Sequence, residues 1–257
     1  VLSLDSEELE RYARHIVLRE IGGPGQSKLR RARVLVVGAG GLGHPALMYL
    51  AAAGVGVIGL VDDDAVSLSN LQRQVLFDVE SIGAAKTETA KRALARLNPG
   101  VQLETHDLRL SGENANELVG GYDLVLDGCD NFETRRVVNA ACVLAERPLI
   151  SGAISQWEGQ ISVFDPARGG PCYDCVFPET PADGLAPSCA QAGVVGALPG
   201  VIGAMMAMEA IKLIVGVGAT LRGQMLIYDG LYGESRRIAV TSRPDCPICK
   251  GKGAGTL

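Results

Sequence analysis

The sequence predicts an α/β protein built on a Rossmann-like mixed sheet with helices on both faces. The first observation behind this is an apolar run that leads into Gly38, Gly40 and Gly43 at G-x-G-x-x-G spacing, followed by helix-forming sequence. This pattern is typical of a turn that holds phosphate at a helix N-terminus. The second is that strand-like and helix-like segments alternate in the first half, while strand-like segments with short links follow in the second. We therefore expect a parallel first half and an antiparallel second half.

Length and composition favour a single domain over residues 1–257, with a helical segment 1–32, a nucleotide-binding half 33–154 and a second half 155–257. A net charge of -5 gives no sign of a nucleic-acid partner. The N-terminal region has early acidic residues and no apolar run of signal-peptide type, which predicts a cytoplasmic protein. The most apolar segment, 194–217, contains Pro199, Glu209 and Lys212, so we expect a buried or interface helix rather than a membrane span.

At the N-terminus, Asp5 or Ser6 can cap a helix that runs to about Glu20 and ends at the glycines and proline of 22–25. A short helix near 26–31 leads into the opening strand. The periodicity then predicts, in order, helix 45–53, strand 55–61, helix 83–97, strand 101–105, helix 111–118, strand 123–126, helix 131–146 and strands 149–153, 160–164, 223–228 and 235–240. Residues 178–189 are expected to form a mobile loop, and 200–215 a helix in the core or at a dimer interface.

Asp62 closes the second predicted strand, 19 positions after Gly43. A nucleotide-binding βαβ unit needs an acceptor for ribose hydroxyls at this point, which makes Asp62 a candidate. The alternative is a loop aspartate that caps its neighbours, and this fits Asp63 and Asp64 better.

Two cations follow the polar segment 67–74, which has neither helical nor strand periodicity. Arg73 and Lys86 are 13 residues apart, and a dinucleotide-binding dehydrogenase has no standing need for them. A triphosphate does, because its charge must be met by fixed cations when pyrophosphate leaves. The alternative for either residue alone is a solvated surface cation.

Asp130 follows the strand predicted at 123–126, on the same rim as the glycine loop. A carboxylate at this position can hold Mg²⁺ against phosphates. The competing interpretation is a helix N-cap, since Asp130 and Asn131 open the next predicted helix.

Four of the seven cysteines form two C-x-x-C pairs, which predict a closed tetrahedral zinc site of structural type. A redox couple is the rival interpretation. The four are Cys172, Cys175, Cys246 and Cys249.

The other cysteines are treated separately. Cys129 and Cys142 are expected to be buried small apolar residues. Cys189, at the end of the predicted loop, is open between a nucleophile and an inert thiol. The three histidines have no triad partner or ligand spacing and stay unassigned, and packing is favoured over a partner contact for Trp157.

Taken together, these motifs resemble the MoeB/ThiF family, bacterial relatives of ubiquitin-activating enzymes that adenylate small sulfur-carrier proteins. The resemblance covers nearly the whole chain in order. It rests on Arg11-Tyr12-x-Arg14, Gly38-x-Gly40-Gly41-Leu42-Gly43, Asp62-x-Asp64-x-Val66, Ser69-Asn70-Leu71-Gln72-Arg73-Gln74, Gly83-x-x-Lys86, Asp127-x-x-Asp130-Asn131, Glu158-Gly159-Gln160, Pro171-Cys172-Tyr173-x-Cys175, Cys189-x-x-x-Gly193-Val194 and Cys246-Pro247-x-Cys249.

The resemblance implies adenylation of the C-terminal glycine carboxylate of a MoaD-like or ThiS-like carrier that ends in Gly-Gly, with release of pyrophosphate. It implies ATP, Mg²⁺ and Zn²⁺ as cofactors and a homodimer in which Arg14 reaches the neighbouring subunit's ATP. ATP would lie among Gly38, Gly40, Gly41, Asp62, Ser69, Asn70, Leu71, Gln72, Arg73, Lys86, Asp130 and Asn131. Residues 155–257 would bind the carrier and zinc, and Cys189 matches the cysteine that ThiF-type members use for an acyl-persulfide link.

The sequence ends shortly after the second cysteine pair, so the rhodanese domain of some relatives is not expected, and sulfur would come from a separate cysteine desulfurase or rhodanese. Two alternatives stay open. A nicotinamide-dependent oxidoreductase leaves the two cations and the zinc cysteines without a role. A relative that adenylates a small-molecule or tRNA-borne carboxylate is disfavoured by the zinc cysteines and the Cys189 segment.

Overall fold

The computed structural model describes residues 4–179 and 192–251. One eight-stranded sheet runs through them in the order β3-β2-β1-β4-β5-β6-β7-β8. Strands β1 to β5 are parallel and β6 to β8 are antiparallel, which confirms the predicted change of direction between the two halves. The strands are β1 Arg33–Val37, β2 Val57–Val61, β3 Gln102–His106, β4 Leu124–Asp127, β5 Leu149–Ser155, β6 Glu158–Phe164, β7 Gln224–Asp229 and β8 Glu234–Ala239.

Nine α-helices connect the strands in the described residues. Three further segments, Leu68–Asn70, Val79–Ser81 and Pro166–Arg168, are short 3-10 helices. The α-helices are α1 Ser6–Arg11, α2 Ala13–Ile16, α3 Gly22–Arg31, α4 Gly43–Ala52, α5 Lys86–Leu97, α6 Ala115–Gly120, α7 Phe132–Ala145, α8 Tyr173–Val176 and α9 Leu198–Val215.

Both faces of the sheet are covered, because residues along the parallel strands alternate between two apolar clusters. In β1, Val34 and Val36 belong to the cluster with α3, α4, α5 and α9, while Leu35 and Val37 belong to the cluster with α6 and α7. All four side chains are at most 3% exposed. Burial on both faces explains why the strand reads as an unbroken apolar run.

The order of the strands reverses between β1 and β4. From β1, the chain builds β2 and β3 on one side and then crosses to β4 and β5 on the other. In open α/β sheets a crevice forms at such a switch point, beyond the carboxyl ends of the two strands, and ligands bind there. The segments that follow β1 and β4 are the glycine loop and the stretch that contains Asp130, so the topology brings these two predicted regions together.

The N-terminal helix prediction was wrong beyond its cap. Asp5 does cap α1, with the reciprocal Glu8 interaction of a capping box. The helix breaks at Tyr12, however, whose hydroxyl accepts from Asn98 at 2.9 Å and whose ring lies against Gly54. The glycines predicted to end a helix instead begin α3, because Gly22 adopts φ +57 and the next residues enter the helix.

Helix α9 is long and apolar enough to cross a membrane by length and hydropathy alone, with a mean hydropathy of 1.7. Half of it is buried within the protein, where it packs against α3, α4, β5 and β6. It is therefore a core helix, as predicted for 200–215. Met206 is fully buried, but Met208 is 59% exposed.

Trp157 was expected to pack in the core and is instead 45% exposed. It occupies the tight turn between β5 and β6, where Gln156 adopts φ 51, so no sheet face covers its side chain. Most of the predicted loop 178–189 lies outside the described residues.

Candidate active site

The glycine loop makes a close turn against the loop that follows β4. Gly38 adopts φ +95, and a Cβ added to it would lie 3.3 Å from the backbone nitrogen of Cys129. A Cβ on Gly43 would lie only 1.9 Å from the carbonyl oxygen of Gly38, so this position also requires glycine. Gly40 has open space beside it. Among the described residues, the backbone N–H groups of Gly40 and Gly41 donate no hydrogen bond within the chain, which leaves them free for an anion at the start of α4.

Asp62, Asp64 and Lys86 form a charge cluster at the end of β2, in which Lys86 is buried and Asp64 is exposed. Asp62 accepts hydrogen bonds from the backbone N–H of Ala39 at 2.7 Å and of Asp64 at 2.9 Å, so it ties the glycine loop to β2. Lys86, whose side chain is 7% exposed, lies 2.6 Å from Asp64 and 3.9 Å from Asp62. Burial raises the pKa of Asp62, although Lys86 and the two N–H groups oppose this. The ammonium offsets only part of the negative charge of Asp62 to Asp64.

Arg73 lies beside the glycine loop. A Cβ on Gly41 would come within 3.5 Å of Arg73 Cδ and 3.1 Å of Pro199 Cβ, at the N-terminus of α9. The guanidinium donates to the carbonyl oxygen of Ser69 at 3.0 Å, which folds the side chain back along its own segment. The Arg73 side chain thus lies beside the glycine loop, with its guanidinium turned towards Ser69.

The other predicted nucleotide contacts in residues 69–72 mostly hold the segment together in this structure. Asn70 accepts from the backbone N–H of Ser67 at 3.1 Å, and Ser69 pairs with the Ser67 hydroxyl at 3.0 Å. Leu71 packs against the larger apolar cluster. Gln72 donates to the carbonyl oxygen of Val194 at 3.4 Å.

For Asp130 and Asn131, the sequence left open a Mg²⁺ ligand or a helix N-cap, and the two residues differ in which description fits. Asn131 is the N-cap of α7, and its side chain accepts from the backbone N–H of Thr134 at 2.8 Å. Asp130 is exposed, and within the described part of the chain its carboxylate makes no hydrogen bond or ion pair. It directly follows Cys129, which abuts the glycine loop. The donor chemistry and the position of Asp130 fit a Mg²⁺ ion bound beside phosphates.

A buried polar network that the sequence analysis did not single out lies beneath Asp130. Asp127, 0% exposed, accepts from Arg135 at 3.2 Å and from the Ser151 hydroxyl at 2.9 Å. The thiol of Cys129 donates to the same carboxylate at 2.7 Å. Burial raises the pKa of Cys129 well above its usual range, and the Asp127 charge adds to this, so Cys129 is a neutral thiol rather than a nucleophile. The sequence signal for the network was an aspartate at the end of an otherwise apolar strand.

His44 is the second buried polar group for which the sequence gave no role. It lies in the first turn of α4, is 0% exposed, and accepts from the backbone N–H of Leu76 at 3.0 Å through Nδ1. Its ring meets Phe77 edge-on at 4.3 Å. Burial lowers the pKa of His44 to about 3. A neutral imidazole therefore connects the glycine-loop helix to the segment that carries Arg73.

Arg14 is not brought to this site within one chain. Tyr12, two residues before it, contacts Gly54 and Asn98, which follow the C-terminal ends of α4 and α5. The N-termini of these two helices form the site, and helices of their length span about 15–18 Å. Arg14 is exposed at the opposite end.

The four predicted zinc ligands meet in one cluster. The sulfur atoms are 3.7 Å apart for Cys172 and Cys175, 3.6 Å for Cys172 and Cys246, and 3.4 Å for Cys175 and Cys249. All four residues are at most 6% exposed and none forms a disulfide. A tetrahedral ion with Zn–S bonds of about 2.3 Å separates its sulfur ligands by about 3.8 Å, so the cluster fits Zn²⁺ in a closed structural site.

Helix α7 anchors this cluster to the rest of the protein. Asp174, between the first two cysteines, forms an ion pair with Arg136 and accepts from Asn139 at 2.7 Å. Asn139 also accepts from the backbone N–H of Tyr173 at 3.0 Å. Asn131 caps this helix and Arg135 lies on it. Helix α7 therefore contacts both the cysteine cluster and the segment after β4 that contains Asp130. Cys189 lies outside the described residues.

Comparison with known proteins agrees with this geometry. The sequence model of the ThiF family matches residues 12–248. The sulfur carrier protein adenylyltransferase of Thermus thermophilus is 50% identical over 247 residues, which cover 95% of this chain and 91% of the relative. The SAMP-activating enzyme E1 of Haloferax volcanii is 45% identical over 256 residues, with coverage of 100% and 94%. A probable adenylyltransferase/sulfurtransferase MoeZ of Mycobacterium tuberculosis is 48% identical, and this chain covers 63% of it.

Solved structures support the fold. The crystal structure of E. coli MccB with ATP superposes with a TM-score of 0.80 at 24% identity and covers 95% of this chain and 75% of that one. The sheet, the glycine loop and the cysteine cluster therefore occur in a chain whose sequence matches the family from Tyr12 to Ile248. This protein belongs to the ThiF family.

Proposed function

We propose that this protein is an ATP-dependent adenylyltransferase that activates the C-terminal glycine carboxylate of a ubiquitin-like sulfur-carrier protein of MoaD or ThiS type. The observation that carries the proposal is that three charged residues adjoin the glycine loop. Arg73 lies beside Gly41, Lys86 pairs with Asp62, which accepts from the N–H of Ala39, and Asp130 follows Cys129, which lies against Gly38. Two cations and a free carboxylate suit a magnesium-bound triphosphate, whereas a nicotinamide dinucleotide would not need them. The two relatives that match nearly full length are named for activation of a sulfur-carrier protein or of SAMP.

The reaction needs no general base on the protein. A C-terminal carboxylate has a pKa of roughly 3.5 and is ionised at neutral pH. One of its oxygens attacks the α-phosphorus of ATP, the bond from that phosphorus to the bridging oxygen of the β-phosphate breaks, and pyrophosphate leaves with the electron pair. The buried His44 and the half-buried Cys129 take no part, because both are neutral.

The protein's contribution is positioning and charge neutralisation. The free N–H groups of the glycine loop would hold phosphate oxygens, and Lys86 and Arg73 would offset the charge that develops on pyrophosphate. Asp130 would hold Mg²⁺, which supplies further charge neutralisation to the phosphates. Asp62 retains carboxylate lone pairs that can accept from ribose hydroxyls.

The site is completed by a second copy of the chain. Arg14 is exposed at the end of α4 and α5 that faces away from the glycine loop, so it can serve a neighbouring subunit's site and not its own. A homodimer then becomes a requirement for catalysis. Zn²⁺ at the four cysteines would have a structural role, since no coordination position is left for a substrate.

Pyrophosphate exchange tests the proposed activity. The protein, ATP, Mg²⁺ and purified MoaD-like or ThiS-like carriers should exchange labelled pyrophosphate into ATP. Arg73→Ala and Asp130→Ala should abolish exchange without loss of the fold. Arg168→Ala, at an exposed position after β6 and at the end of the sheet opposite the glycine loop, should exchange like the wild type. Absence of exchange with every carrier would refute the proposal.

Pyrophosphate exchange and nucleotide titration together separate the alternative functions. Exchange that proceeds with a small carboxylic acid or a modified tRNA, and with no protein carrier, would favour the small-molecule or tRNA hypothesis. Tight NADH binding in a fluorescence titration, without ATP binding, would favour an oxidoreductase. The carrier adenylate must then react with a sulfur nucleophile. A cysteine desulfurase or a rhodanese would supply this sulfur.

A further inference from the structure

Arg135 holds together the two strand ends on the β4 side of the switch point. Its side chain is 8% exposed, yet the guanidinium meets four acceptors. One terminal nitrogen donates to Asp127 at 3.2 Å and to the Ser151 hydroxyl at 3.0 Å. The other donates to the carbonyl oxygens of Cys129 at 2.5 Å and Gly152 at 2.8 Å. This fork connects the end of β4, the loop after it, and β5.

The carbonyl oxygen of Cys129 is the informative acceptor, because it belongs to the peptide bond that leads into Asp130. The backbone nitrogen of Cys129 is also fixed, since it donates to Asp127 at 3.0 Å and lies against Gly38. Arg135 and Asp127 therefore hold Cys129 from both sides. Asn131 is fixed in turn by its cap of α7. Asp130 therefore lies between two residues that are each held by hydrogen bonds.

A buried ion pair of this kind is expensive for the fold. Removing the charges from water costs several kcal/mol, and apolar residues of similar size are often as stabilising. Burial is the largest influence on the pKa of Arg135 and lowers it, but Asp127 and the other acidic groups around it, Asp130 among them, together raise the pKa, so the guanidinium remains charged. Lysine could satisfy Asp127, but it lacks the planar fork that reaches two carbonyl oxygens at once. The arrangement thus suits a residue that fixes geometry more than one that adds stability.

We propose that Arg135 is a positioning residue for adenylation, which acts through the carbonyl oxygen of Cys129 to place the Asp130 carboxylate where a divalent cation bridges it to the phosphates. The proposal rests on the proposed function for the identity of the nucleotide. It does not depend on the carrier. Arg135 touches neither ATP nor the reacting atoms in this assignment.

The test is a double-mutant cycle between Arg135→Lys and Asp130→Asn, read by calorimetric binding of a non-hydrolysable ATP analogue with and without Mg²⁺. In the wild type, Mg²⁺ should tighten binding. Arg135→Lys should lose most of this tightening, about tenfold, while binding without Mg²⁺ stays near that of the wild type. The double variant should bind no more weakly than Asp130→Asn alone, because both changes remove the same interaction.

The control is Arg222→Lys. Arg222 pairs at 2.7 Å with the buried Asp165. Asp165 follows β6, which is antiparallel to β5, and so lies at the end of the sheet opposite the carboxyl ends of β1 and β4. The Mg²⁺ response of Arg222→Lys should therefore be that of the wild type. If Arg135→Lys does not fold, Ser151→Ala replaces it in the cycle, since it loosens the same network and keeps its charges. Losses that multiply in the double variant, or a wild-type Mg²⁺ response in Arg135→Lys, would overturn the proposal.

The outcome is independent of the carrier assay. A protein that exchanges no pyrophosphate with any carrier, but whose Mg²⁺-dependent analogue binding follows the cycle, refutes the proposed function and supports the role of Arg135. A wild type that binds no ATP analogue refutes both.

Discussion

Two residues of the glycine loop differ in what surrounds them, and this difference separates binding from stability. Gly40 has no atom within 4 Å of an added Cβ, whereas one on Gly43 would collide with the Gly38 carbonyl oxygen at 1.9 Å. Gly40→Ala should leave the free energy of unfolding within about 0.5 kcal/mol of the wild type. It should still weaken ATP binding, because the methyl group enters the space assigned to phosphate.

Gly43→Ala should lose both properties. The collision is with backbone, which cannot rotate away, so we expect a loss of about 1–3 kcal/mol in unfolding free energy. Urea denaturation and calorimetric titration with ATP measure the two quantities. If Gly40→Ala binds ATP as tightly as the wild type, phosphate does not lie beside that residue.

His44 predicts a specific dependence of stability on pH. Its pKa falls from 6.5 to about 3 in the native state, with burial as the main cause. Below pH 6.5 the unfolded chain therefore binds a proton that the native protein does not. The stability from keeping this imidazole neutral is fully present above pH 6.5 and is lost progressively as the pH falls towards 3.

The expected size follows from one proton. Between pH 6.5 and 5, His44 should cost about 2 kcal/mol of unfolding free energy, at roughly 1.4 kcal/mol per pH unit. In His44→Asn, the side-chain oxygen can still accept from Leu76, and this part of the pH dependence should vanish. Denaturation at both pH values compares the two proteins, and equal pH slopes would contradict the assignment.

The residue scale also shows what the sequence could and could not predict. Asp62, Arg73 and Lys86 were proposed as site residues because each follows a strand or a glycine turn at a recognisable distance. Arg135 and His44 were not, because each lies within a helix and no local motif marks it. Their importance comes from burial against other elements, and a single sequence does not record which polar residue faces inward.

Among the secondary-structure elements, the N-cap of α7 is expected to affect both the stability of the protein and the binding of ATP. Asn131 was predicted to contact the nucleotide, and its side chain is committed to the backbone N–H of Thr134 at 2.8 Å. Asn131→Ala should cost about 1 kcal/mol of stability through loss of the cap. It should also weaken Mg²⁺-dependent ATP binding, because the Asp130 peptide loses its fixed end.

Asn131→Ser is the matched comparison, because serine also caps helices well. It should restore stability and Mg²⁺-dependent binding together. Thermal unfolding and analogue binding provide the two readouts. A serine variant that is stable but binds ATP poorly would instead indicate a direct contact between Asn131 and the nucleotide.

Most element boundaries agree with the sequence to within a few residues. The parallel strands were easy to place because burial on both faces produces apolar runs that glycine, asparagine and aspartate interrupt. Helix α1 is the informative exception, since its local pattern continues through Tyr12 to Glu20. The break comes from Tyr12, whose ring fits over Gly54 and whose hydroxyl meets Asn98. A contact 86 residues away overrides local propensity there.

At the scale of the whole molecule, the cysteine cluster joins parts of the chain that are far apart in sequence. Cys172 and Cys246 are 74 residues apart and their sulfur atoms lie 3.6 Å from each other. We expect about one zinc per chain by elemental analysis, and a lower unfolding temperature after chelation. Cys246→Ser should lose the metal, whereas Cys142→Ala, at a buried cysteine outside the cluster, should retain it. Disulfides in place of metal would contradict the prediction.

The overall architecture could be predicted because a single sequence pattern restricts the possible topologies. A strand, a glycine turn and a helix, followed by alternating elements, leave few topologies once crossovers are right-handed. The relation between two copies of the chain is different, since nothing in a single sequence shows which exposed groups meet. Arg14 is the residue concerned, because it lies near the C-terminal end of α4, away from the glycine loop of its own chain.

Subunit mixing tests whether Arg14 acts across a dimer. Arg14→Ala and Arg73→Ala should each be inactive in pyrophosphate exchange. In a mixed dimer, the nucleotide site of the Arg14→Ala subunit is intact and receives Arg14 from the other subunit, so one of its two sites should work. Random exchange of equal amounts makes half of the dimers mixed, and activity should recover to about a quarter of the wild-type value. If Arg14 served its own subunit, neither site of the mixed dimer would be complete, and the mixture would stay inactive.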